Sequence, residues 1–297
     1  MKVLITGANG LLGQHLIKVL LDNNMQVVAT GRGESRLPFE PSHNYVYRTM
    51  DVTNGMETFA VMNAEKPAVV VHAAAMTQVD DCELRPQLCE QINVNGTSQI
   101  LTDAETFSSH FIYVSTDFVF DGEKGNYSEE DETVPISLYG FTKMQAEAMV
   151  QTSNIPFAIV RTCLVYGNML QGTRSNIISW VKESLEQNKP IKVVTDQWRT
   201  PTYVEDLAKG ILLIIQKKAA GIYHISGKDW LSPYDIAVKT ADKFNLDKSK
   251  IEKVDASTFK QPGRRPLKTG FVIDKARKEL GYEPMTFDEA LDKMYKG

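Results

Sequence analysis

The stretch Thr6-Gly7-Ala8-Asn9-Gly10-Leu11-Leu12-Gly13 decides how the rest of the chain is read. Ahead of it Val3-Leu4-Ile5 reads as a short buried strand, and behind it Leu16, Ile17, Val19, Leu20 and Leu21 recur at helical spacing. Strand, glycine turn and helix in that order form the context of a phosphate-binding turn. Gly7 permits the tight turn, Gly10 lets the backbone approach a pyrophosphate, and Gly13 lets the helix pack close to the strand. The helix N-terminus adds free N–H donors and the positive end of the peptide dipole. A dinucleotide is therefore expected against Gly7, Asn9, Gly10, Leu11, Leu12 and Gly13.

Outward from this turn, strands and helices alternate. Strands are predicted at 26–30, near 45–47, at 68–72, at 111–115 and at 158–162, with a long helix over 86–107 and another from about 138. Continuous apolar strands separated by helices predict an α/β fold with a doubly wound parallel sheet, whose ligands bind at the carboxyl ends of the strands. The last third is richer in Lys and Pro, and Pro190, Pro201, Pro233, Pro262, Pro266 and Pro284 cut it into short elements. Helices are expected near 174–188, 204–217, 233–245, 273–280 and 286–296. This predicts a dinucleotide-binding domain from 1–163 plus about 191–224, and a smaller substrate-binding cap from about 164–190 plus 225–297.

The 297 residues carry a net charge of -4, with 42% hydrophobic and 24% charged residues, a composition that makes an ordered chain the default. No basic cluster interleaved with aromatics points to nucleic acid, and no apolar run approaches the ~20 residues of a membrane span. The three cysteines, Cys82, Cys89 and Cys163, have no metal-like spacing, and no Cys/His cluster suggests a metal site. With no h-region ahead of the first strand, the expectation is a reduced cytoplasmic protein with structural thiols. Monomer and homodimer read alike in one sequence.

Residues that follow strands carry the chemistry. Arg32 comes just after the second strand, where a dinucleotide fold meets the adenosine ribose. A carboxylate there would bond the 2′-hydroxyl of NAD, whereas arginine accommodates the 2′-phosphate of NADP. Arg32, with Arg36 nearby, thus points to NADP(H) over NAD(H). Asp51 and Val52 end the third strand, where Asp51 can bond an adenine amino group, and Thr53 is expected to cap the next helix. Ala73, Ala74 and Ala75 follow the fourth strand with side chains small enough for a flat cofactor to lie against. His72 is read as a strand-end residue. The run Glu129-Glu130-Asp131-Glu132 is expected to be a solvated loop.

Tyr139 and Lys143, four residues apart, fall one turn apart on one face of a helix. A phenol ordinarily titrates near ~10, and a neighbouring ammonium is expected to lower that value. Thr116 closes the fifth strand, where its hydroxyl can meet a substrate oxygen beside Tyr139. Tyrosine as proton donor beside a hydride-donating cofactor is a carbonyl–alcohol redox site.

The glycine turn, Tyr139 to Lys143, and Ser115-Thr116-Asp117 together resemble the extended short-chain dehydrogenase/reductases. Within them, three stretches resemble the dTDP-4-dehydrorhamnose reductase group: 114–122 (VSTDFVFDG), 161–167 (RTCLVYG) and 196–202 (DQWRTPT). The resemblance implies reduction of the C4 ketone of a dTDP-4-keto-6-deoxy sugar, the last step of dTDP-L-rhamnose synthesis for cell-surface polysaccharides. It makes Tyr139 the proton donor and Lys143 its partner, with Thr116 and Asp117 on the sugar. Leu164 stands where many of these reductases have a tryptophan that meets the sugar, and Phe118 where tyrosine is frequent. Arg199, Arg264 and Arg265 read either as cap residues that reach a diphosphate, which guanidinium suits, or as surface charges. A related dehydratase would carry Glu in place of Phe118. Two further readings share these motifs: a nucleotide-sugar epimerase, and a non-catalytic NADP-binding protein resembling the regulatory subunit of methionine adenosyltransferase.

Overall fold

Val3, Leu4 and Ile5 are completely buried because both faces of their strand are covered. The computed structural model describes residues 1–173 and 175–296; Arg174, at the expected start of a cap helix, and Gly297 lie outside the described residues. The first half runs β1 (Lys2–Thr6), α1 (Leu11–Asp22), β2 (Gln26–Gly31), β3 (Tyr45–Thr49), α2 (Gly55–Glu65) and β4 (Val69–His72). It continues with α3 (Val79–Leu84), α4 (Pro86–Glu90), α5 (Gly96–Thr106), β5 (His110–Thr116), α6 (Leu138–Gln151) and β6 (Phe157–Thr162). The remainder holds β7 (Val165–Tyr166), α7 (Ile177–Glu186), β8 (Ile191–Val194), β9 (Thr202–Tyr203), α8 (Val204–Lys217) and β10 (Gly221–His224). It ends with α9 (Pro233–Lys243), β11 (Ile251–Val254) and α10 (Phe287–Met294).

Seven parallel strands form the main sheet in the order β10-β6-β5-β4-β1-β2-β3. Alternate residues face opposite layers, as the two-residue period of a strand requires. Val3, Ile5, Val69, Val71 and Val160 join Leu16, Ile17 and Leu20 of α1 and Leu207, Ile211 and Ile214 of α8. Leu4, Val28, Val70, Phe111 and Ile159 join Met62 of α2, Ile100 and Ala104 of α5, and Ala146 and Val150 of α6. The strand order reverses between β1 and β4, which opens a crevice at their carboxyl ends. Among the described residues no helix is long and apolar enough to cross a membrane.

Two expectations change. The helix expected over 86–107 is interrupted by a π-helical turn at Gln91–Asn95, and α3 precedes it. That turn points the buried Asn93 at the loop after β4, where it accepts from Met76 N at 2.8 Å. Residues 191–194, assigned above to the dinucleotide-binding domain, pair with β11 in a ribbon separate from the main sheet. Their pattern explains it: Ile191 and Val193 are buried against α7 and α9 while Lys192 is exposed, which suits a strand covered on one face only. The chain rejoins the main sheet with α8 and β10.

Candidate active site

The glycine turn sits at the crevice between β1 and β4. Gly7 has φ +71°, and a Cβ there would lie 2.9 Å from Ala74 N, so the turn and the alanine run touch through backbone alone. At Gly13 a Cβ would stand 2.5 Å from Ala8 O, which fixes how tightly α1 can sit on its own turn. Thr6 Oγ1 accepts from both Ala73 N and Ala74 N at 3.1 Å. Its neighbour His72 bonds Thr6 through Nδ1 at 2.8 Å and Thr97 through Nε2 at 3.1 Å. Burial first, then the charge of Lys143, lowers the His72 pKa to about 3, so the ring is neutral and structural.

Helix α1 begins at Gly10 with no side-chain cap and no acidic residue in its first turn. The side chains of Leu11 and Leu12 pack against the cluster of Tyr166, Tyr203 and Phe287. The N-terminal N–H groups of α1 thus have no side-chain acceptor of their own, and glycine lets a ligand approach them. This uncapped helix start, with Ala73, Ala74 and Ala75 half-buried opposite, fits the pyrophosphate and flat rings of a dinucleotide.

Asn9 ties the turn to the loop after β2. Its Oδ1 accepts from Arg36 N at 2.9 Å and its Nδ2 donates to Tyr47 OH at 3.2 Å. The loop so held carries Arg32, which is exposed and makes no side-chain hydrogen bond or ion pair among the described residues. Asp51 accepts from Thr53 N at 2.9 Å and Thr53 Oγ1 at 2.8 Å. Thr53 is not the cap of α2, as was expected: that place belongs to Asn54, whose side chain accepts from Met56 N and Glu57 N. Val52 is buried against Gly96.

Tyr139, Lys143 and Thr116 converge where α6 starts above the end of β5. Ser137 caps α6 by accepting from Gly140 N at 3.2 Å, and Glu83 of α3 accepts from Leu138 N at 2.8 Å. Tyr139 is buried, with the Phe118 ring edge-on at 5.6 Å. Burial pushes its phenol well above the ordinary tyrosine value, with the Thr116 hydroxyl pulling the other way. The expected depression by Lys143 does not govern here. The Lys143 ammonium donates to Val114 O at 2.8 Å and lies 4.0 Å from the centre of the Tyr113 ring. Desolvation lowers its pKa to about 7, against the opposing pull of Glu147.

The residues expected on the substrate side divide. Leu164 is 40% exposed at φ +38°, held there by Thr202 N donating to Leu164 O. Asp117 and Arg199 are both buried and face each other, Arg199 Nε lying 3.4 Å from Asp117 Oδ2. The other guanidinium nitrogens of Arg199 donate to the carbonyls of Trp198 (2.8 Å), Leu267 (3.0 Å) and Pro266 (2.6 Å). With every nitrogen engaged inside the protein, Arg199 has no free fork for a diphosphate, contrary to expectation. Arg265 pairs with Asp80 at 2.8 Å, whereas Arg264 is exposed. The acidic run is a loop with Glu130 and Glu132 exposed, as expected, but its other two carboxylates have partners within the protein. Glu129 accepts from His224 N at 2.9 Å, and Asp131 accepts from Lys124 and Ser128.

Sequence reading missed the supports beneath these groups. Asn93 Nδ2 donates to Met76 O and to Thr142 Oγ1, both at 3.1 Å, joining the post-β4 loop to α6. Glu147, one turn beyond Lys143, takes Arg161 Nη2 at 2.7 Å and Ser115 Oγ at 2.5 Å, and all three are buried. Glu147 at i+8 from Tyr139 was the available signal, since it shares a helix face with Tyr139 and Lys143.

Residues 1–297 match the family described as RmlD substrate binding domain. The chain belongs to the RmlD family. One relative in that likeness is a dTDP-4-dehydrorhamnose reductase of Aggregatibacter actinomycetemcomitans, 30% identical over 98% of this chain and 97% of its own. A methionine adenosyltransferase 2 subunit beta of Pongo abelii is 30% identical over 86% of this chain and 76% of its own. Among solved structures, a dTDP-4-dehydrorhamnose reductase of Bacillus anthracis in complex with NADP superposes with TM-score 0.84 at 27% identity. It covers 99% of this RmlD-family chain and 98% of its own.

Proposed function

We propose that the protein is an NADPH-dependent reductase of the C4 ketone of a nucleotide-activated 4-keto-6-deoxy sugar, with dTDP-4-dehydrorhamnose as the substrate. The observation that carries this is the buried, neutral phenol of Tyr139 beside Thr116 at the end of β5, with Lys143 one turn further along α6. A bound nicotinamide cofactor supplies the hydride. The protein's own part is to hold the acceptor and deliver a proton. Tyr139 enters as a neutral O–H, the form a proton donor must have, and gives that proton to the ketone oxygen as charge develops there. The protonated form of Lys143 offers a nearby positive charge to the phenolate left behind. Thr116 offers its hydroxyl to the same oxygen by turning its O–H away from Asp117 Oδ1, to which it donates at 3.1 Å. Gly7, Asn9, Gly10, Gly13 and the alanine run hold the dinucleotide, with Arg32 on its 2′-phosphate. The reading includes a cytoplasmic protein acting as monomer or homodimer.

Purified protein incubated with a panel of nucleotide 4-ketosugars is expected to consume NADPH with a dTDP-linked substrate. Tyr139→Phe is expected to slow turnover by about 10²- to 10⁴-fold. Full activity in that variant overturns the proton-donor role. Tightly retained cofactor that is never consumed would instead indicate an epimerase. The 30% identity to a methionine adenosyltransferase regulatory subunit supports a second, non-catalytic reading. Co-purification of a catalytic partner, together with no turnover across the panel, would select it.

A further inference from the structure

We propose that Cys82 and Cys89 form a redox-modified pair: a hydroperoxide joins them in a disulfide behind Tyr139 and slows turnover. The chemistry at sulfur is independent of the reductase reading, and only its effect on activity rests on that reading. Both thiols are 0% exposed, and with Val79 they form one small apolar cluster around Tyr139. They stand seven positions apart. On one unbroken helix that spacing would separate them by roughly 10.5 Å along the axis, too far for a bridge. Arg85, at φ −135° and ψ 63°, breaks the helix between them, and Pro86 starts α4 afresh. The break brings the two sulfurs within hydrogen-bond reach of each other. Their surroundings agree. Cys82 Sγ lies 3.6 Å from Met76 O, and Asn93 Nδ2 lies 3.1 Å from that oxygen and 3.4 Å from Cys89 Sγ.

The two thiols are unequal. When Cys89 ionises, the Cys82 S–H turns from Met76 O to the Cys89 sulfur, which the Asn93 amide also faces. The bond from Cys82 holds the Cys89 pKa below that of an ordinary thiol, against the effect of burial, while Cys82 stays protonated. The Cys89 thiolate attacks hydrogen peroxide: an S–O bond forms, the O–O bond breaks, and hydroxide leaves. The Cys82 sulfur then attacks the sulfenic acid, so that an S–S bond replaces the S–O bond and the departing hydroxide takes the Cys82 proton as water. Two thiols lose two electrons in all, and hydrogen peroxide becomes two waters. Access is through α3, a six-residue helix with no side-chain cap at Gln78 and with Leu84 67% exposed, because so short a helix opens locally. Cys89 Sγ lies 3.6 Å from Thr142 Oγ1, and Thr142 donates to Tyr139 O at 2.9 Å. Drawing Cys89 onto Cys82 withdraws that support from the first turn of α6, and so from the phenol.

The test treats the full chain with hydrogen peroxide, removes the peroxide, and measures NADPH-dependent turnover beside mass mapping of the unfolded, alkylated protein. Residues 82–89 are expected to lose two hydrogens and to take up no alkylating tag. Cys163, which lies in another cluster and whose thiol burial pushes up, is expected to stay reduced. The kcat is expected to fall by about tenfold or more, because small misplacements of a reacting group are costly, and dithiothreitol is expected to restore it. Cys82→Ala is expected to form no bridge and to trap dimedone at Cys89 after peroxide. Full alkylation of both cysteines after peroxide would overturn the site. A bridge that leaves kcat unchanged would overturn its link to Tyr139. If untreated protein turns over no ketosugar, the reductase reading fails while the mass still decides the bridge.

Discussion

Gly140 rests directly on the backbone of Phe118: a Cβ at that position would lie 2.1 Å from the Phe118 carbonyl oxygen and 3.0 Å from its carbon. Gly140 follows Tyr139 at the start of α6, and Phe118 follows Thr116 and Asp117 at the end of β5. The absence of a side chain is what lets the helix bring its phenol down to the strand end. Gly140→Ala must push the two apart, since a backbone carbonyl cannot swing aside as a side chain can. Overpacking of this kind costs about 1–3 kcal/mol. The expected outcome is a folded, less stable protein whose kcat falls more than its melting temperature suggests. Denaturant titration alongside steady-state kinetics checks it, and unimpaired kcat would show that the contact does not set the geometry.

Lys143 gives a pH dependence with a defined sign. Burial lowers its pKa from the ordinary lysine value to about 7. In the cofactor-free protein the ammonium is therefore lost as pH rises through about 7, and kcat/KM is expected to fall across that range if the charge supports the tyrosinate. Stability runs the other way. The folded state binds fewer protons than the unfolded one between about 7 and the ordinary lysine value, so stability rises with pH across that window. Lys143→Met is expected to flatten this rise while abolishing most turnover. Thermal melts of both proteins from neutral to alkaline pH measure it.

Arg32 is exposed, and its guanidinium has no partner among the described residues. A charged hydrogen bond to a 2′-phosphate contributes at most about 1.5–3 kcal/mol. Arg32→Ala is then expected to raise the KM for NADPH by roughly 10- to 100-fold, with little effect on NADH. Equal effects on the two cofactors would remove Arg32 from phosphate recognition.

The Glu147–Arg161 pair is buried on both sides, at 2% and 3% side-chain exposure. Arg161→Met leaves a carboxylate buried with only the Ser115 hydroxyl, and is expected to cost about 3–5 kcal/mol. Glu147→Leu combined with Arg161→Met is expected to recover much of that loss, because an apolar pair carries no desolvation penalty. Urea unfolding of the single and double variants measures the coupling. A double variant no more stable than Arg161→Met would show that the pair is held by more than its mutual charge.

The glycine turn, the apolar strands and the four-residue spacing of Tyr139 and Lys143 were legible in the sequence because each rests on a local rule. Glycine conformational freedom, the two-residue strand period and the 3.6-residue helix period act over a few residues. The same local periods placed α8 at 204–217 to the residue. They said nothing of the pairing of 191–194, whose partner lies sixty residues away in β11, and they missed the turn at Gln91–Asn95 that aims Asn93 at Met76. Side-chain type suggested a phosphate for Arg199, and the family resemblance a sugar for Asp117. The tertiary structure turned them toward each other, because a buried carboxylate and a buried guanidinium each need a partner and the fold brings 117, 199 and 269 to one point. The sequence by itself determined that a dinucleotide turn and a tyrosine–lysine helix exist. Only the tertiary structure decided which polar groups remain free to meet a ligand, since that depends on which of them have already found each other.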